Sequence, residues 1–231
     1  MNKVMVFFTI ILASVGLVGQ TNPTPQVLPY TEDFSSCPHT STIYPIGTQG
    51  WVVPGGMSSD YLTSPASQDY SLLARGTAAN AVAGFYNYYY KIGFLCSNYT
   101  SFSIVFAVDT SGKENIQVDY NIMTIRNPYG YLSNDRINEV ILQYRVGTEG
   151  DFTNLAGTEY QNNMTLQTNA TTTPQNLQSR SVTLPTACNN QPIVQLRLIS
   201  RWVSGSGLNN NPSFAVDDIY VTGDDITTPV E

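Results

Sequence analysis

Charge is scarce in this sequence: 12% of its 231 residues are Asp, Glu, Lys or Arg, against about 25% in an average soluble domain. Ten charges are basic and seventeen acidic, a formal net charge of −7, and no Lys/Arg cluster occurs. Sequence-independent grip on nucleic acid needs a basic footprint, so that class is excluded. Binding to an anionic membrane surface is disfavoured for the same reason. Histidine is nearly absent. The single one, His39, sits in the loop SSCPHTST, whereas a Ser–His–Asp or Cys–His device needs a positioned histidine base. No HExxH, P-loop or glycine-rich dinucleotide turn is present. The six glutamates are scattered, and Glu139 has no second carboxylate on its strand. Glycoside hydrolysis needs two carboxyl groups across a cleft, so the supply of acids argues against an enzyme of that kind. There are three cysteines, Cys37, Cys96 and Cys188, in no zinc-like spacing. In an oxidising compartment they could form one disulfide and leave one thiol, with the pairing open.

Long apolar runs are missing too, except at the start. MNKVMVFFTIILASVGLVGQ has a basic Lys3, an apolar stretch and small residues near Gly19. It reads as a signal peptide over 1–19, too short for a bilayer span. This places the protein outside the cell or on its surface, with no membrane insertion. Residues 20–26 read as a linker, 27–223 as one domain, and 224–231 as a linker-like tail that could lead to a downstream domain. Three N-x-[ST] sequons occur, at Asn98, Asn163 and Asn169; in a chain this rich in Asn, Ser and Thr, chance matches are the simpler account.

No amphipathic helix follows residue 19. Instead, apolar and aromatic segments recur between turn residues. Strands are expected at 50–54, 71–75, 83–89, 101–108, 116–125, 137–146, 180–184, 193–202 and 214–222. In INEVILQYRV, Val140, Leu142, Tyr144 and Val146 alternate with a polar-containing row, which predicts a strand buried on one face and solvated on the other. Nine strands without helices predict an all-β, antiparallel β-sandwich of jelly-roll type, galactose-binding or concanavalin-like. Trp51 and Trp202, in apolar surroundings, are read as core.

Two stretches carry the functional expectations. In FAVDDIYVTG (214–223), strict alternation places Asp217 in one apolar row and Asp218 in the other. Buried carboxylates need a partner. Calcium, with its six to eight oxygen ligands, would supply one, with Glu32 and Asp33 of LPYTEDFSS brought alongside if the first and last strands are neighbours. The alternative is that one aspartate faces solvent and the other accepts hydrogen bonds. In FYNYYYK (85–91), Tyr86, Tyr88 and Tyr90 share a strand face. An exposed tyrosine row would stack on sugar rings or on a protein partner. Tyr129 and Tyr131 would extend it. Core packing is the competing use of each ring.

The EDF-like N-terminal segment, Gly50-Trp51, the segment YYYKIGFLCSNYTSFSIVFAVDTSGKENIQVDYNIMTI and the terminal FAVDDIYVTG together resemble the jelly-roll domains of bacterial secreted surface proteins. These are the cleaved-adhesin and MAM-like sandwiches and related carbohydrate-binding modules. The resemblance covers 27–223. It implies a structural calcium joining first and last strands, with Asp217, Asp218, Asp33 and Glu32 at the matching positions. Where many members have Glu after the phenylalanine, this chain has Ser35. The expectation is thus a non-catalytic, calcium-stabilised binding or adhesion module for a glycan or surface polysaccharide. The alternatives are a self-associating subunit of a surface layer or filament, or an accessory domain of a larger secreted hydrolase.

Overall fold

The structure, a computed structural model, describes residues 20–128, 135–162, 166–205 and 211–227. The leader, Tyr129, Tyr131, the sequon at Asn163 and the end of the tail lie outside these residues. Fifteen strands follow one another: β1 (Gln26–Val27), β2 (Tyr30–Glu32), β3 (Thr48–Val53), β4 (Gln68–Asp69), β5 (Leu72–Leu73), β6 (Gly84–Asn87), β7 (Ile92–Leu95), β8 (Ser101–Asp109), β9 (Lys113–Arg126), β10 (Ile137–Val146), β11 (Thr153–Asn154), β12 (Tyr160–Gln161), β13 (Gln175–Thr183), β14 (Val194–Ser204) and β15 (Ser213–Asp225). Among the described residues a single 3-10 turn, Thr186–Cys188, interrupts them.

They form a two-sheet, jelly-roll sandwich. One sheet runs β11-β10-β14-β8-β3-β4, with β1 added to β8 and β12 to β10; the other runs β13-β9-β15-β7-β6-β5, with β2 added to β15. Alternation fills the space between them. Phe102, Ile104, Phe106 and Val108 of β8 meet Ile116, Val118, Tyr120 and Ile122 of β9 in one core cluster. Each such side chain contributes about 1.5–3 kcal/mol by leaving water. All nine expected strands are present, and β10 has the expected bounds.

Three features differ from the sequence reading, the first because loops close over the sheet. First, β10 is buried on both faces. Gln143, Arg145 and Glu139 on its polar row are at most 6% exposed. Tyr61 and Leu62 from the segment after β3 pack on this outer face, and Phe152 packs there beside Trp51 and Val105. The two guanidinium groups beneath are Arg145 and Arg197. They lie 4.4 and 3.9 Å from the Phe152 ring and bond to Gln195, Gln143 and the carbonyls of Gly150, Leu62 and Ser64. Second, Trp202 is not core; it is 37% exposed, whereas Trp51 is fully buried. Third, Cys37, Cys96 and Cys188 are all free and buried. Burial pushes the Cys96 and Cys188 thiols up to about 11, so they are protonated and inert at neutral pH.

Candidate functional site

The last strand changes partner midway. β7 pairs with Ser213–Val216 of β15, and β2 pairs with Ile219–Val221 on the same edge. Asp217 and Asp218 occupy the gap between. On the other edge, pairing with β9 jumps from Asp217 to Tyr220, a bulge, and Asp218 sits at φ 49°. An extra residue in a strand shifts the alternation by one. Phe214 and Val216 before the bulge therefore face the same core as Ile219 and Val221 after it. Neither aspartate lies in an apolar core row, contrary to strict alternation: Asp217 is half-buried on the outer side and Asp218 is exposed.

The antiparallel registers bring the residue after β2, Asp33, and the residue before β7, Lys91, towards this gap. Burial raises the Asp217 pKa to about 6. The Asp218 N–H and the Lys91 ammonium act against the rise, and the charges of Asp218 and Asp33 add to it. Asp217 Oδ1 accepts from Asp218 N at 2.8 Å. Burial likewise raises Glu32, although its Oε1 accepts the Phe34 N–H at 2.7 Å. Asp33 is lowered by its bonds from the Ser35 hydroxyl and N–H. Asp218 turns towards β9 and accepts from Asn121 Nδ2 at 2.8 Å. Of the four expected ligands, then, Asp33 and Asp217 share the gap and Asp218 points out of it. Among the described residues no three His, Cys, Asp or Glu side chains are grouped as a metal cluster.

Next to the gap, sequence and structure part over the tyrosines. β6 ends at Asn87, so Tyr86, Tyr88 and Tyr90 do not form one exposed row. Tyr86 is 4% and Tyr88 0% exposed. The segment preceding β6 folds over them: Ala78 packs against both rings, Val82 O accepts the Tyr86 hydroxyl at 2.7 Å, and Gly76 N bonds to Asn87 O. What remains outside is Tyr89 and Tyr90, 45% and 43% exposed. They are the two central residues of a turn closed by Tyr88 N to Lys91 O, 2.9 Å. Their ring centroids are 4.1 Å apart, and His39 meets Tyr89 edge-on at 5.6 Å. His39 Nε2 lies 3.1 Å from Gly76 O. Lys91 Nζ donates to Tyr89 O at 2.7 Å, tying the turn to the acidic gap.

The turn is unusual in its backbone. Tyr89 and Tyr90 have φ of 67° and 57°. Two-residue hairpin turns with positive φ at both positions are ordinarily Asn-Gly or Asp-Gly; a non-glycine residue held there costs about 1–3 kcal/mol. Sequence reasoning missed Tyr89 because it continued the strand past Asn87 and through the turn, whose two central positions carry neither Gly nor Asn.

No protein-family model and no curated protein matches the chain. Among solved structures it is similar to the K2 cleaved adhesin domain of Lys-gingipain, at 18% identity and a TM-score of 0.43 over 84% of this chain and 98% of that one. It is also similar to the family 11 carbohydrate-binding module from Clostridium thermocellum, at 9% identity and a TM-score of 0.36 over 83% and 93%. A third is the CBM22-1 xylan-binding domain from Paenibacillus barcinonensis Xyn10C, at 6% identity and a TM-score of 0.37 over 86% and 95%.

Proposed function

We propose that the protein is a non-catalytic, secreted or cell-surface module that binds a glycan through Tyr89 and Tyr90, with calcium stabilising the adjacent gap. The observation that carries this reading is the exposed tyrosine pair held at positive φ. Strained backbone concentrates where function requires a side chain to be held. Flat rings with hydroxyl handles suit the apolar faces and hydroxyls of a sugar. A non-catalytic role fits the chemistry at hand. Glu139 is locked by Tyr61 Oη at 2.6 Å and Arg201 at 2.7 Å, and these bonds, with Gln161, hold its pKa down against the effect of burial. No described helix is long and apolar enough to cross a membrane.

In affinity electrophoresis of the full chain through gels containing soluble polysaccharides, at least one glycan should retard it. The double variant Tyr89→Ala/Tyr90→Ala should lose at least about tenfold in affinity. Retardation unchanged in that variant would move the site elsewhere. Self-association has its own observation: β13 is an edge of its sheet, with Leu177 52% exposed. A ligand-free chain running as an oligomer would favour an assembly role.

Calcium would be held by Asp33 and Asp217, with Glu32 beside them, and would supply positive charge where carboxylates crowd. A carboxylate whose folded pKa is about 6, above its unfolded value of about 3.9, takes up a proton more readily in the folded state. Its contribution therefore destabilises above about pH 6 and is relieved as pH falls towards 4. In chelator at pH 7.5, Asp217→Asn should melt above the wild type, and the gap between them should close towards pH 4. Added calcium should raise the wild type and leave Asp217→Asn unmoved. Identical wild-type melts in calcium and chelator would remove calcium from the account.

A further inference from the structure

The chain after β5 runs beside the tyrosine turn. β5 pairs in parallel with β6, Leu72 opposite Phe85 and Leu73 opposite Tyr86, so the next residues advance with β6 towards the turn. Gly76 N bonds to Asn87 O at 2.8 Å, and a Cβ on Gly76 would meet Tyr88 Cδ1 at 2.8 Å. Arg75, the residue before it, is exposed. Its N–H donates to His39 O at 2.8 Å, and the His39 ring stands against Tyr89. Asn87, fully buried, ties these pieces to the turn: its Nδ2 donates to Pro38 O at 2.9 Å and its Oδ1 accepts the Tyr89 N–H at 3.0 Å. The His39 loop, Arg75 and the turn are therefore one bonded unit.

Arg75 differs from the other cations. Every other basic side chain among the described residues donates to a carbonyl, amide or carboxylate oxygen. The Arg75 guanidinium donates to none. Lys91, the other cation near the turn, is engaged: its ammonium bonds to the Tyr88 and Tyr89 carbonyls and lies in the field of Asp217. Arg75 also sits at φ 56°, a conformation that costs any residue with a side chain. It shares that strain with Tyr89 and Tyr90, the two exposed rings beside it.

We infer that the tyrosine site selects acidic glycans, with Arg75 receiving a uronate carboxylate while Tyr89 and Tyr90 hold the face of the sugar; this rests on the tyrosine reading above. A uronate offers both halves of the match, a ring with an apolar face and a carboxylate at its rim. The planar guanidinium fork takes the two oxygens of a carboxylate in parallel bonds. The chain as a whole, at a net charge of −7, repels a polyanion. An acidic glycan is therefore held only through a local cation, and Arg75 is the one left unengaged.

Affinity electrophoresis of the full chain tests this in gels containing sodium polygalacturonate or sodium hyaluronate, each beside its carboxyl methyl ester, with sodium polyglutamate as a carboxylate that has no sugar ring. At least one uronate polymer should bind about tenfold or more tightly than its ester, and polyglutamate should not retard the chain. Arg75→Asn removes the charge and suits a positive φ. It should bring the acid down to the level of the ester and melt at or above the wild type. Tyr89→Ala/Tyr90→Ala should lose acid and ester alike. Equal retardation by acid and ester in the wild type, with both lost in the tyrosine variant, would overturn the acid selectivity and leave the tyrosine site standing. A preference for the acid that survives in Arg75→Asn, retardation by polyglutamate as strong as by the uronates, or a lower melting temperature for Arg75→Asn would also overturn it. Silence with every glycan, neutral ones included, would overturn the tyrosine reading and this inference together.

Discussion

Gly93→Ala is expected to cost more than about 3 kcal/mol, the upper range for forcing atoms into a packed core. β7 is four residues long and wholly buried, and it pairs with β15 through Gly93 opposite Ala215. A Cβ built on Gly93 would lie 1.9 Å from Phe214 O and 2.6 Å from Ala215 Cα. Both are backbone atoms of the central strand and cannot swing aside. The two strands must separate, and with them Phe94 from Phe214, whose rings now pack at 6.3 Å. On a total stability of about 5–15 kcal/mol, this is a large share. Gly112→Ala is the control: a Cβ there meets nothing within 4 Å, so only its positive φ is penalised, by about 1 kcal/mol. Urea midpoints of both variants decide the matter. Equal losses would contradict the close approach.

Phe152→Ala is expected to cost about 3–5 kcal/mol. The ring is 2% exposed and fills the space over two buried guanidinium groups that no carboxylate bonds. Truncating it leaves a cavity and removes the π faces that Arg145 and Arg197 share. Burial, reinforced by the neighbouring charge of Arg145, lowers the Arg197 pKa to about 9, so this cation tolerates little further loss. Phe152→Leu keeps an apolar plug without a π face and should cost about 1–2 kcal/mol. Denaturant titration of the two variants separates the terms: a Phe152→Leu cost near zero would remove the cation–π contribution, and equal costs for the two variants would contradict the packing.

The sandwich was legible in the sequence because its long strands alternate. Ile137–Val146 was found to the residue. The short β7 escaped because IGFL is buried on both faces and shows no alternation. Loop cover was not legible. Residues 76–83 hide Tyr86 and Tyr88, and Tyr61, Leu62 and Phe152 hide the polar row of β10; both are tertiary facts that leave no local periodicity. The Asp217–Asp218 pair was rightly singled out as an anomaly, but a bulge, not a core carboxylate, is its local cause.

The central claim is that Tyr89 and Tyr90 are kept at an energetic cost for a ligand. The double variant Tyr89→Asn/Tyr90→Gly tests it most directly, because it installs the residues such a turn ordinarily carries. Melting temperature and glycan retardation should be measured together on the full chain. The account predicts a higher melting temperature, by several degrees for about 2 kcal/mol of relieved strain, with retardation lost. A lower melting temperature, or retardation equal to that of the wild type, would contradict it.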